Sequence, residues 1–315
     1  MDNLKIFAGN ANPELAGRIA QYLDKRLGKA IVTRFPDGEI DVKVEEDVRG
    51  ADVFIVQPTC PPVNENFMEL VILIDCMKRA SAERVTAVLP YYGYARKDRK
   101  DEGRVPITAK LVANLITKAG ADRVLAVDLH AAQIQGFFDI PVDHLFASAV
   151  LGGYYRELNL QDAVVVSPDV GSIKISRAYA KRLVAGLAVV DKRRASPDRT
   201  ESGFLIGEVK GKTVIMVDDM IATGGSIAAA SKLVMDKGAK EVYVGATHGL
   251  FCGSAVERLS GAPIKEIAVT DTIPLRPDAE RMGTPVKMLT ISSLLGEAMR
   301  RIHFDESVSS LFNHE

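Results

Sequence analysis

A chain of 315 residues is long enough for two domains. Its 47% hydrophobic and 26% charged residues are an ordinary globular composition, and 40 basic against 41 acidic side chains (net charge −1) exclude a general nucleic-acid or membrane surface. Cys60, Cys76 and Cys252 are odd in number and far apart, which gives no disulfide framework, no metal spacing and a reading as a cytoplasmic chain. No apolar run is long enough to span a bilayer, and the start, MDNLKIFAGN, is no secretory signal.

In chain order, Leu4–Ala8 reads as a strand, and a helix follows near Pro13–Leu27 with Asn12 as its cap and Pro13 in its first turn. Ala30–Arg34 is the next strand. Phe35-Pro36-Asp37-Gly38-Glu39 then has the composition of a hairpin turn. Its ring could also stack on a base while Asp37 and Glu39 accept from an exocyclic amine. Strands recur within GADVFIVQP from Gly50, VTAVLPYYG from Val85 and RVLAVDLH from Arg123, the last ending on His130. Between them, Gly93–Thr108 (GYARKDRKDEGRVPIT) is a long polar loop dense in charge, carrying Arg96, Lys97 and Arg104.

The second half begins alike. LKIFAGNANPELAGRIAQYL from Leu4 echoes VVVSPDVGSIKISRAYAKRL from Val164, at an offset of 160 residues. GADVFIVQP from Gly50 echoes GKTVIMVDD from Gly211, at an offset of 161. A near-constant offset across half the chain signals an internal duplication. It predicts two similar α/β domains with mainly parallel sheets flanked by helices. The boundaries expected are 1–146 and 147–299, with a tail of about 300–315 packing back on the first domain.

The copies differ where chemistry would sit. VIMVDDMIATGGSIAAA, from Val214, reads as a buried strand over Val214–Val217, ended by Asp218-Asp219 and followed by a turn into a helix near Ile227. Loop residues Ala222, Thr223, Gly224, Gly225 and Ser226 at a helix N-terminus offer backbone N–H groups and hydroxyls to an anion. The paired carboxylates suit vicinal hydroxyls, and together these parts fit a sugar phosphate. The equivalent QPTCPPVNE of the first half has neither feature. Asp191-Lys192-Arg193-Arg194 follows an apolar run, and alternation puts Lys192 and Arg194 on one strand face. There they could stabilise a polyphosphate transition state, or form an ordinary solvated strand end. DKRRASPDRTESG opens a hairpin-like excursion over 191–209. His130, at a strand end, and Asp169, in SPDVGS, could hold Mg²⁺ directly or through water.

Taken in order, RFPDGE, YARKDRK, DLHAAQIQGFFDIPVDH, SPDVGS, DKRR and VDDMIATGGS resemble the class I ribose-phosphate diphosphokinases, also called phosphoribosyl pyrophosphate synthetases, over essentially the full chain. Each motif is weakly specific and the ordered set is highly so. The resemblance implies type I phosphoribosyltransferase-like domains and transfer of the diphosphoryl group of ATP to ribose 5-phosphate. It puts Asp218 and Asp219 at the ribose hydroxyls, Ala222 to Ser226 on the 5-phosphate, and Lys192 and Arg194 on the transferring group. It puts His130 and Asp169 on Mg²⁺, and Phe35, Asp37, Glu39, Arg96 and Lys97 on ATP. It further implies a homohexamer with phosphate and ADP as effectors at an allosteric site built from Arg49, Ser81, Arg104, Gln135, Asp143, Ser307, Ser309 and Phe312. Ala222 stands where the family commonly has Asp, Lys97 where Gln is usual, and Ser172 where a second Gly is common. A phosphoribosyltransferase and a non-catalytic regulatory homologue are the rival readings.

Overall fold

The computed structural model describes residues 3–192 and 203–311. The first unit runs to Phe146 and regains the chain at Thr272–Pro274 and from Thr290 onward. Its elements are β1 (Leu4–Ala8), α1 (Pro13–Tyr22), β2 (Ala30–Arg34), β3 (Ile40–Val44), β4 (Asp52–Val56), α2 (Val63–Arg79), β5 (Arg84–Leu89), α3 (Thr108–Ala119), β6 (Arg123–Val127) and β7 (Val142–Leu145). The order β1-β4-β5-β6-β7 is parallel throughout. β4 is buried at every position, as a parallel strand covered on both faces must be. β2 and β3 form a separate antiparallel hairpin.

The Asn12 side chain accepts from the Leu15 N–H at 3.2 Å and Pro13 opens α1, as expected from their sequence. The helix stops at Tyr22, earlier than the expected Leu27. Asp24 turns the backbone left-handed (φ 52°), and the chain must return to β1, where the Gly28 N–H donates to the Ile6 carbonyl at 2.7 Å. Gly28 lies against the Phe7 ring; a Cβ there would fall 2.4 Å from Phe7 Cε1.

The second unit holds α4 (Ser148–Glu157), β8 (Ala163–Ser167), α5 (Ile173–Leu183), β9 (Gly186–Lys192), β10 (Gly203–Ile206), β11 (Thr213–Ile221), α6 (Gly225–Asp236), β12 (Glu241–Gly249), α7 (Ala255–Ser260), β13 (Glu266–Thr270), α8 (Pro277–Glu280) and β14 (Val286–Leu289). Its sheet order is β10-β9-β8-β11-β12-β13-β14, and only β10 is antiparallel. The run β8-β11-β12-β13-β14 repeats β1-β4-β5-β6-β7 strand for strand, which gives the expected duplication its structural form. The antiparallel pairing of β9 and β10 matches the excursion read at 191–209.

The last helix, α9 (Ser292–His303), packs on α1. Leu295, Ala298, Met299 and Ile302 form its apolar stripe and are all buried. Gly296 lets the helices close, because a Cβ there would sit 2.4 Å from the Tyr22 ring. The return to the first unit thus starts at Thr290, ten residues before the 300 expected from sequence, because α9 carries that stripe from its first turn.

Candidate active site

In the second unit the chain reverses direction at β8. It moves from β8 through α5 to β9 on one side, then to β11 on the other and onward to β12. Such a switch point opens a crevice at the carboxyl ends of β8 and β11. β11 pairs with β8 only over Thr213–Met216, but with β12 as far as Ile221. Asp218 and Asp219 therefore lie within the strand and do not terminate it. Pairing to β12 holds an extended arm beyond the end of β8, and that arm carries both carboxylates.

Asp169 belongs to the loop after β8. Its Oδ1 accepts from the Ser172 N–H at 3.0 Å and from the Ser172 hydroxyl at 3.2 Å. The same hydroxyl donates to Asp218 Oδ1 at 2.7 Å, and the Asp219 N–H donates to that oxygen at 2.9 Å. Burial, then the charge of Asp219, push the Asp218 carboxyl up to about 7; the Ser172 hydroxyl opposes the shift and Asp169 adds to it. The site thus concentrates negative charge that a hydroxyl-bearing ligand could use.

Beyond the strand, Gly224 is left-handed (φ 68°) and caps α6, which starts at Gly225, two residues before the expected Ile227. A Cβ at Gly224 would meet Leu259 Cγ at 2.9 Å, so both backbone and packing require glycine. The Ala222 carbonyl accepts from the Cys252 N–H at 2.7 Å, and the Thr223 carbonyl from Arg258 Nη1 at 3.2 Å. In a planar trans peptide the following N–H points the opposite way. The amides of Thr223 and Gly224 are thereby turned away from these partners, and with the first-turn amides of α6 they form an anion cradle.

Lys192 closes β9, opposite Gly203 of β10. Arg194 lies outside the described residues, as does Phe312. In the first unit, Phe35, Asp37 and Glu39 are exposed on the hairpin tip, where the Phe35 N–H donates to the Glu39 carbonyl and Gly38 has φ 96°. Arg96 and Lys97 are exposed in the segment before α3, and Lys97 meets Asp101 at 3.4 Å. His130 is exposed just past β6. Arg49 is exposed, and the N–H of the next residue, Gly50, donates to the Ser81 carbonyl at 2.9 Å. Arg104 is exposed and left-handed (φ 64°), and Gln135 is exposed on a short helical turn. Asp143 is buried and paired with Arg123 at 2.6 Å, which gives it a structural partner of its own. Ser307 and Ser309 are exposed near the end of the chain, and Arg301 donates to the Ser307 carbonyl.

Residues 4–120 match the N-terminal domain of ribose phosphate pyrophosphokinase, 146–255 a phosphoribosyl transferase domain, and 202–313 the phosphoribosyl synthetase-associated domain. The ribose-phosphate pyrophosphokinase of Rhodopirellula baltica is 56% identical over 315 residues, covering 99% of each chain. The chain belongs to the ribose-phosphate pyrophosphokinase family. Another ribose-phosphate pyrophosphokinase, from Oceanobacillus iheyensis, is 51% identical, covering 99% of this chain and 98% of that one. The crystal structure of phosphoribosylpyrophosphate synthetase from Mycobacterium smegmatis superposes with a TM-score of 0.90 at 44% identity, covering 96% of this chain and 99% of that one.

Two residues of this pyrophosphokinase-family chain escaped the sequence reading. Ser172 stood only as a departure from a common glycine, although a serine opening a helix beside an acidic loop is itself a signal. Arg258 sits 35 residues beyond the loop it braces, in the short helix α7, and no local pattern marks it.

Proposed function

We propose that the chain transfers the β,γ-diphosphoryl group of ATP to the 1-hydroxyl of ribose 5-phosphate, giving 5-phosphoribosyl 1-diphosphate and AMP. The carrying observation is the pairing of two carboxylates with an anion cradle four to eight residues further on, at the switch point of the second unit. Asp218 and Asp219 accept from the ribose hydroxyls, while the amides of Thr223 to Ser226 hold the 5-phosphate. The replacement of the family's common Asp by Ala222 leaves this cradle whole, because backbone groups form it.

The 1-hydroxyl oxygen attacks the β-phosphorus in line, the bond from that phosphorus to the α,β-bridging oxygen breaks, and the hydroxyl proton is lost. Lys192 and Arg194 are assigned to the charge that develops on the transferring group. Phe35, Asp37 and Glu39 are assigned to the base of ATP, and Arg96 and Lys97 to its phosphates.

Among the described residues, no three of His, Cys, Asp and Glu converge as a metal cage. The carboxylate of Asp169 and the imidazole of His130 suit Mg²⁺, which keeps several waters and takes substrate phosphates alongside one or two protein ligands. His130 and Asp169 are the residues that would hold it, and when bound it supplies charge neutralisation at the phosphates.

The reading extends to a cytoplasmic homohexamer in which phosphate activates and ADP inhibits through Arg49, Ser81, Arg104 and their neighbours. Among the described residues no helix is long and apolar enough to cross a membrane. The backbone bond from Gly50 to Ser81, which brings the chain segments of Arg49 and Ser81 together, supports part of the effector set; the ion pair of Asp143 gives that residue another task.

Incubation with Mg-ATP and ribose 5-phosphate, followed by phosphorus NMR, tests the reaction. AMP and phosphoribosyl diphosphate are expected in equal amounts. ADP as product, or no turnover, would overturn it, and no turnover would favour the regulatory homologue.

A further inference from the structure

Ser172 is 7% exposed and occupies the cap position of α5, yet its hydroxyl makes no capping bond to that helix. It spends its one proton on the carboxylates, at 2.7 Å from Asp218 Oδ1 and 3.2 Å from Asp169 Oδ1. The Asp219 N–H reaches the same Asp218 oxygen from the other side. Both donors fall on Oδ1 and fix that oxygen from two elements of the chain. We infer that Ser172 is a positioning residue for the sugar: it fixes the rotamer of Asp218 and ties the β8 loop to the β11 arm, so that the carboxylate is aimed at one ribose hydroxyl.

A glycine at position 172 could form the same backbone turn, because the Asp169 bond to the Ser172 N–H needs no side chain. The hydroxyl is thus an addition to the turn, and its two partners say what it is for. Without it, Asp218 loses its bond to the β8 loop and is held only from within its own arm, beside a second carboxylate whose charge acts on it. Asp169 keeps the Ser172 N–H as a donor, so the larger consequence is expected at the ribose end, through Asp218.

The inference rests on the reaction proposed above, and its test separates the two. Steady-state constants are measured at saturating Mg-ATP with ribose 5-phosphate, 2-deoxyribose 5-phosphate and 3-deoxyribose 5-phosphate, for wild type and Ser172→Ala. The variant is expected to lose about tenfold in kcat/KM for ribose 5-phosphate while KM for ATP changes by less than about twofold. With whichever deoxy sugar lacks the hydroxyl that Asp218 accepts, the penalty shrinks to about twofold or less, since the bond being aimed no longer exists. Ser172→Thr keeps the hydroxyl and is expected to retain the discrimination. Should the alanine variant fail to fold, Ser172→Gly deletes the same hydroxyl and takes its place. Equal penalties with all three sugars, or wild-type constants throughout, would overturn the positioning role. A wild type that makes no phosphoribosyl diphosphate would overturn the reaction itself.

Discussion

Asp218 is under electrostatic tension within the second unit. Its carboxyl is raised to about 7 in the folded chain from an ordinary value of 3.8. Between those two values the folded state holds a proton that the unfolded state has released. The contribution of this group to stability is therefore fully present below about pH 4, falls as pH rises toward 7, and is flat above. Asp218→Asn removes the penalty of ionising there, so the variant should melt higher than wild type at pH 8, by about 1 kcal/mol or more in stability. It should also lose at least about tenfold in kcat/KM for ribose 5-phosphate, because an amide cannot accept as a carboxylate does. In the wild type that constant should climb through pH 7 as the acceptor ionises, and the rise should be missing in the variant. A variant that is less stable at pH 8 with an unchanged pH profile would show that Asp218 bears no such strain. The acids themselves were plain in the sequence. The raised carboxyl of Asp218 was not, since it depends first on burial and on the charge of Asp219 beside it, with Asp169 adding to the shift from the loop after β8.

Among the elements, the turn into α6 is the one most tightly specified. Gly224 is left-handed and touches Leu259, while Gly225, one residue on, has no atom within 3.8 Å of a built Cβ, Arg258 Nη1 being nearest at 3.9 Å. Gly224→Ala should cost about 1–3 kcal/mol and raise KM for ribose 5-phosphate as the amides tilt. Gly225→Ala should leave the melting temperature nearly unchanged. Equal effects of the two, by calorimetry and kinetics, would mean that the loop is set elsewhere. The strand and helix around this turn were legible from the apolar run and the TGGS that follows. The length of β11 was not, because carboxylates are poor strand formers and only pairing to β12 keeps Asp218–Ile221 extended. The hairpin around Phe35 was fully legible as a turn, since Pro36 and Gly38 fix it locally.

At the scale of the whole molecule, α9 is latched to the first unit by more than its apolar stripe. Arg84 holds Asp52 through two bonds, at 2.8 and 2.5 Å, and its Nη2 also donates to the Ile302 carbonyl at 2.9 Å. His303 Nδ1 reaches the same Asp52 at 2.8 Å. Arg84→Ala should leave a partly buried carboxylate short of a partner and cost about 2 kcal/mol or more. Hydrogen exchange should quicken over 292–303 and stay unchanged in β11 and β12. Uniform acceleration would instead mean a global loss of stability. The duplication behind this architecture was readable from its near-constant offset. The docking of α9 was not, because its stripe says that the helix is buried and not against what. The copies have also diverged in their interiors. Gln57 stands where β11 has Asp218, and it joins Asn10 in donating to Glu69, a carboxylate only 5% exposed. The place that holds two adjacent acids in one unit is occupied by a network of the chain's own side chains in the other. The late return of α9 has a consequence for synthesis. When Phe146 leaves the ribosome, α1 still lacks its neighbour, and the whole second unit must be made before Leu295, Met299 and Ile302 exist. At about 5–20 residues per second that is a wait on the order of ten seconds with an apolar helix face uncovered. The half of the chain that is made first is therefore the half that finishes last, and it is the one a chaperone would have to shelter.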